Sequence, residues 1–144
     1  MLKNIPSILA PELIKILMEM GHGDELVLAD GNYPCLGHPS RVVRCDGHGI
    51  PELLDAIMMF MPLDSYIKHP TVLMEVLPGD PYVPVIWDAY RKIISKYEEK
   101  GAREEAINKY DFYKRGAQAY AVVTTGEQAM YANIILKKGV VQKT

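Results

Sequence analysis

The chain has 144 residues, a length that suits one ordinary domain with a real core. Its hydrophobic share of 49% and charged share of 24% are those of a soluble globular protein. A net charge of −2, with basic residues scattered apart from Lys137–Lys138, gives no electrostatic reason to expect nucleic acid or an anionic membrane surface.

In chain order, the opening "MLKNIPSILAPELIKILMEM" has apolar content, but Glu12, Lys15 and Glu19 interrupt it and no small-residue cleavage site follows, so it is not read as a leader. Pro11-Glu12 opens a helix: proline suits the first turn and glutamate suits the positive end of the dipole. Leu13, Leu17 and Met20 give it a helical face, and Gly21 is the expected stop through a left-handed conformation. "ELVLAD" predicts a strand buried on both faces, followed by the turn Asp30-Gly31-Asn32. Cys35 and Cys45 form neither a disulfide framework nor a CxxC pair. They are read as buried or half-buried free thiols of a reducing compartment, and the expected location is the cytoplasm.

"RVVRCDG" predicts a second strand, with Arg44 and Asp46 as a local ion pair or turn, and "GIPELLDAIMMFMP" a second helix. "TVLMEVLPGD" reads as a third strand, and "VPVIWDAYRKIISKYEEKG" as a long amphipathic helix with Trp87 in core or interface. "NKYDFYKRGAQ" is helical, its aromatics assigned to core or interface. "AYAVVTTGE" and "YANIILKKGVV" are the last strands. Helices alternating with β-rich runs predict a single α/β domain over residues 1–144, helices packed on a central mixed sheet. No segment approaches the roughly 20 apolar residues of a spanning helix.

Two stretches carry candidate chemistry. In "GHGDELVLADGNYP", His22 stands between two glycines and Asp30 ends a strand, where α/β sheets place ligand groups. Imidazole gives and takes protons near neutral pH. Local chemistry alone leaves the turn reading and the site reading of His22 level. In "YANIIL", Tyr131 and Asn133 flank Ala132 and, if extended, project on one face. A phenol and an amide suit the hydroxyls and C–H faces of a sugar, although packing at a strand start explains the pair as well. His22, Asp24, Asp30, Cys35, His38 and His48 fall in one third of the chain, but their spacings match no ligand signature, so no metal is expected.

These motifs together (MGHGD with a following AD, R-x-DG, LDSY, and FY-x-R…TGE…Y-x-N-x-x-L-x-x-G) resemble the fucose mutarotase and ribose pyranase family, nearly end to end, and are closer to the fucose branch. The resemblance implies interconversion of the anomers of a free sugar, L-fucose foremost, without cofactor or metal, by a ring-shaped homo-oligomer, commonly a decamer. It places the proton donor on His22 and a sugar-binding aspartate on Asp30. The Y-x-N sugar contacts fall on Tyr131, Ala132 and Asn133; the chemistry of mutarotation, which needs one proton given and one removed, makes the Tyr131 hydroxyl our candidate for a second proton-transfer group. Lys109 stands where the fucose branch carries arginine and the pyranases histidine; it is the remaining sugar contact, without arginine's bidentate fork. Ala132, where the fucose branch tends to have glycine, leans towards the pyranases. Two other readings stay open: a D-ribose pyranase, and a sugar-binding ring without catalysis. The resemblance gives Asp24 no role beyond turn support.

Overall fold

The computed structural model describes residues 1–143. In chain order it contains α1 (Pro11–Glu19), β1 (Glu25–Ala29), a single 3₁₀ turn (Cys35–Gly37), β2 (Val42–Cys45) and α2 (Ile50–Met58). There follow β3 (Thr71–Met74), α3 (Ile86–Ser95), β4 (Glu104–Ile107), α4 (Lys109–Ala117), β5 (Ala121–Thr125) and β6 (Ile134–Lys137). The six strands form one mixed sheet in the order β2-β5-β1-β6-β3-β4. Every pairing is parallel except those of β6, which runs antiparallel to both β1 and β3. Five strands therefore point one way and one points back between them.

Alternation along β1 explains the layering, since successive side chains of a strand face opposite sides. Leu26 and Leu28 pack into a large core with Leu13 of α1, Leu53 and Ile57 of α2, and Tyr90 and Ile94 of α3. Val27 and Ala29 face the other way, onto Phe112 of α4 with Val72, Val122 and Ile135. Three helices thus cover one face and α4 the other, which is why β1 is apolar throughout and fully buried from Leu26 to Ala29. No helix among the described residues is long and apolar enough to cross a membrane.

Several local expectations change. Helix α1 ends at Glu19 with Met20 extended, and the left-handed residue of the following turn is Gly23 (φ 87°), not Gly21. Asp24 caps that turn by accepting from the Gly21 N–H at 2.7 Å, the support role expected of it. Cys45 is buried, but Cys35 is exposed, because its 3₁₀ turn lies outside the sheet. The strand expected from residue 131 begins only at Ile134; Tyr131 is left-handed (φ 58°), so Tyr131 and Asn133 are not set on one face by an extended backbone. Strand β4 was not foreseen. It forms because "EEAI" finds β3 as a partner at the sheet edge, not because of any apolar alternation.

Candidate functional site

Because β1, β3, β4 and β5 are parallel, the loops that follow them gather at one edge, where open α/β sheets place ligand sites. A pocket of about 320 Å³ opens there. Asp30 enters it from the end of β1, Met74 from the end of β3, and Lys109 and Tyr113 from the first turns of α4, directly after β4. The segment Gln128–Tyr131 forms another wall, and Asn133 enters just before the reversed strand β6. A larger groove of about 440 Å³, walled by residues between Met1 and Ile14, is apolar apart from Ser7 and offers no comparable polar set.

The polar groups of this pocket are tied to one another. The Asp30 N–H donates to Asn133 Oδ1 at 2.7 Å, and the Asn32 N–H donates to Asp30 Oδ1 at 2.9 Å. Burial raises the Asp30 carboxyl above its ordinary value; the Asn32 N–H and the Asn133 side chain oppose that rise without cancelling it. Asn133 is itself buried, so its amide is fixed before any ligand arrives. The Tyr131 hydroxyl donates to Asp80 Oδ2 at 2.6 Å, and the Trp87 indole N–H donates to the Tyr131 carbonyl at 2.7 Å. Lys109 leads α4, its ammonium 5.2 Å from the Tyr110 ring. Such a set offers fixed acceptors, an amide, a phenol and an ammonium, which is the chemistry that recognises a polyhydroxylated ligand.

Glu127 holds the wall of the pocket in place. Its Oε1 accepts from the Ile50 N–H at 3.1 Å, at the start of α2, and its Oε2 accepts from the Gln128 and Ala129 N–H groups at 3.1 and 3.2 Å. One carboxylate thereby joins a helix N-terminus, where negative charge is favoured, to the loop that leads to Tyr131. The neighbouring Gly126 allows this approach, since a Cβ there would collide with the Asp46 carbonyl.

His22 is elsewhere. It precedes β1, whereas Asp30 follows it, so the two are separated by five strand residues, about 16 Å at 3.3 Å per residue. The resemblance assigns His22 and Asp30 to one sugar, yet strand β1 carries them to opposite edges of the sheet. At its own edge His22 Nε2 lies 3.1 Å from Asp64 Oδ1, and its ring is 5.4 Å from that of Tyr66. Asp64 is 3% exposed; burial raises its carboxyl, but the Tyr66 N–H, His22 and Lys137 outweigh that and hold it below the ordinary value. Arg103 fixes this loop by donating to the Asp64 and Ile67 carbonyls at 3.0 and 3.1 Å. An Asp64 carboxylate that only accepts places the proton of neutral His22 on Nε2 and leaves Nδ1 free as a base.

Of the other residues, Ala132 is fully buried and its carbonyl accepts from Tyr90 Oη at 2.7 Å, so its side chain does not line the pocket as expected. Arg44 and Asp46 form the expected local pair at 2.9 Å. Trp87 and Tyr113, assigned from sequence to core or interface, do pack against the two core clusters, and each also serves the pocket: one braces Tyr131 and the other forms a wall. Asp64 and Asp80 were also missed as site-forming carboxylates. LDSY contains Asp64, but nothing in its sequence shows that the carboxylate meets His22, 42 residues away. No three His, Cys, Asp or Glu side chains among the described residues come together as a metal-holding group.

Residues 3–141 match the RbsD / FucU transport protein family. The L-fucose mutarotase of Actinobacillus pleuropneumoniae serotype 5b is 44% identical, with 97% of each chain covered. A crystal structure of the fucose mutarotase from Streptococcus pneumoniae in complex with L-fucose superposes with a TM-score of 0.91 at 51% identity, covering 98% of this chain and 100% of that one. Bacillus subtilis RbsD complexed with D-ribose shares the fold at a TM-score of 0.72 and 24% identity, over 99% of this chain and 100% of that one.

Proposed function

Since the chain belongs to the RbsD / FucU transport protein family, we propose that it is an isomerase interconverting the α and β anomers of L-fucose. The observation that carries the reading is the convergence of Asp30, Lys109, Tyr131 and Asn133 on one pocket. Identity of 44–51% to fucose mutarotases, against 24% to the ribose-complexed relative, favours L-fucose over D-ribose as substrate.

Mutarotation requires a proton delivered to the ring oxygen and one removed from the anomeric hydroxyl. The ring opens to the aldehyde, C1 rotates, and closure gives the other anomer; by microscopic reversibility the same groups serve both directions. In this reading Asp30, Lys109 and Asn133 bind sugar hydroxyls, Tyr131 handles the anomeric proton, and His22, oriented by Asp64, exchanges a proton with the ring oxygen. A positioned acid or base supplies about 10²–10⁴-fold, enough for a reaction already fairly fast in water.

The separation of His22 from the pocket gives this reading its quaternary consequence. The His22 edge of one copy meets the Asp30 edge of the next, so that neighbouring subunits share each site. Two different surfaces meeting head to tail generate a closed ring when the rotation closes, in keeping with the homo-oligomer, a decamer, that the resemblance implies. Exposed apolar side chains stand at both edges: Tyr66 beside His22, and Leu77 and Met130 at the pocket. The cytoplasm is the location we assign.

Anomer exchange followed by saturation-difference NMR on L-fucose and D-ribose tests the activity. Acceleration for L-fucose is expected. Faster exchange for D-ribose alone would move the assignment to a pyranase, and sugar binding without faster exchange would leave a non-catalytic ring protein.

A further inference from the structure

Tyr131 is not held by the sheet. Its left-handed backbone (φ 58°) is a conformation that costs an ordinary L-residue, and its half-buried side chain stands at the pocket rim. The loop between β3 and α3 holds it there. Besides the Trp87 bond to its carbonyl, the Tyr131 hydroxyl donates to Asp80 Oδ2 at 2.6 Å and accepts from the Leu77 N–H at 3.3 Å. Asp80 is fixed in turn. Its Oδ1 accepts from the Tyr82 N–H at 2.9 Å, and its own N–H donates to the Leu77 carbonyl at 3.0 Å. The Tyr82 ring stands 5.9 Å from that of Tyr131.

A phenolic oxygen has one proton and two lone pairs. Here Asp80 takes the proton and the Leu77 N–H occupies one lone pair, so the second lone pair is the one position left for a ligand. We propose that Asp80 is a positioning residue: by accepting the hydrogen bond of the phenolic O–H it fixes the free lone pair of Tyr131 towards the sugar hydroxyl that must lose its proton. As Oη takes that proton, its own passes along the existing bond to Asp80 Oδ2, to return when the ring closes. Without Asp80 the hydroxyl rotates freely and spends part of its time presenting its proton to the sugar, the wrong polarity for that step. This role rests on the proposed function, because it needs a sugar hydroxyl in the pocket. It adds a carboxylate that does not itself touch the sugar.

The test is a kinetic cycle by L-fucose exchange on wild type, Asp80→Ala, Tyr131→Phe and the double variant, with folding checked by circular dichroism and thermal melting. Asp80→Ala is expected to lower kcat about tenfold with KM moved less than about threefold, since Asp30, Lys109 and Asn133 are untouched. The double variant should be no worse than Tyr131→Phe within about twofold, because Asp80 acts through that hydroxyl. Multiplied losses in the double variant, or a loss confined to KM, would overturn the role of Asp80 while leaving the activity standing. A wild type that does not accelerate exchange would overturn the proposed function and this role with it. If Asp80→Ala does not fold, the near-isosteric Asp80→Asn enters the same cycle with the same criterion.

Discussion

A shared site makes a demand that a site within one chain does not. Consider His22→Ala and Asp30→Asn, each purified alone. Every site in the first oligomer lacks the acid/base and every site in the second lacks the buried carboxylate, so both exchange L-fucose slowly, His22→Ala by about 10²–10⁴-fold. Now let the two be co-expressed in equal amounts. A working site needs an intact His22 from one copy and an intact Asp30 from its neighbour, and each is present in half of the copies. Random assembly therefore restores about a quarter of wild-type activity. The five strand residues between His22 and Asp30 leave about 16 Å between the two edges, too far for one sugar to touch both side chains within a chain. Pairing Asp30→Asn with Asn133→Ala is the control: both defects lie in one pocket, so every site carries one defective copy's pocket and mixing recovers nothing. Exchange rates by NMR, with mixed oligomers verified by native mass spectrometry, decide the matter. Mixed oligomers that stay at the level of their parents would refute the shared site.

Asp64 should write itself into acid stability. Its folded pKa is depressed, so the stability it contributes is present above the unfolded value of about 3.9 and is lost as pH falls through the lower folded value. Melting temperatures of wild type and Asp64→Asn should therefore converge below about pH 4, whereas parallel curves would contradict the assignment. Asp30 has the opposite sign: its folded pKa is raised, so stability falls as pH rises from the unfolded value of about 3.9 to the higher folded value, and the loss is complete above it. Asp30→Asn should melt higher than wild type at pH 7 despite losing activity; a lower melting temperature would show that the carboxylate is held more favourably than its burial implies. Trp87→Phe removes the N–H that holds the Tyr131 carbonyl. It should cost about 1 kcal/mol in denaturant unfolding and reduce kcat by more than that modest loss suggests, with unchanged kcat counting against the loop as a support for Tyr131.

Much of the fold was legible because burial imposes a period. Leu26–Ala29 is apolar at every position since helices cover both faces of β1, and α1 and α2 carry proline and glutamate at their starts. Strand β4 escaped because its neighbours, not its composition, make it a strand. "EEAI" pairs only with β3, at an edge where no residue is fully buried. The site was half legible for a related reason. Asp30 and Asn133, 103 residues apart, meet because β1 ends where β6 begins, and an antiparallel pairing cannot be deduced from either segment alone. His22 and Asp30 look like partners because only eight positions separate them, yet a strand between two polar groups is the surest way to part them. Tyr113 does pack beside Phe112, as its aromatic segment suggests, but composition alone does not show that its partly buried ring also walls the pocket.

The two edges of the sheet divide the chemistry in a way that their electrostatics supports. At one edge Asp64 is buried yet accepts from Tyr66 and His22, which keeps it ionised, a fixed negative partner for an imidazole. At the other, Asp30 is held by weaker compensation beside Glu127, and burial wins. Environments that push two carboxylates in opposite directions mark different roles. Asp64 is suited to holding a histidine in one tautomer, and Asp30 to meeting a sugar hydroxyl that repays part of its desolvation. Neither edge alone contains both the imidazole and the pocket for the ring. A reaction that moves one proton onto the sugar and another off it would be served by bringing the edges together, and under the proposed shared site assembly of the subunits would be a condition of catalysis.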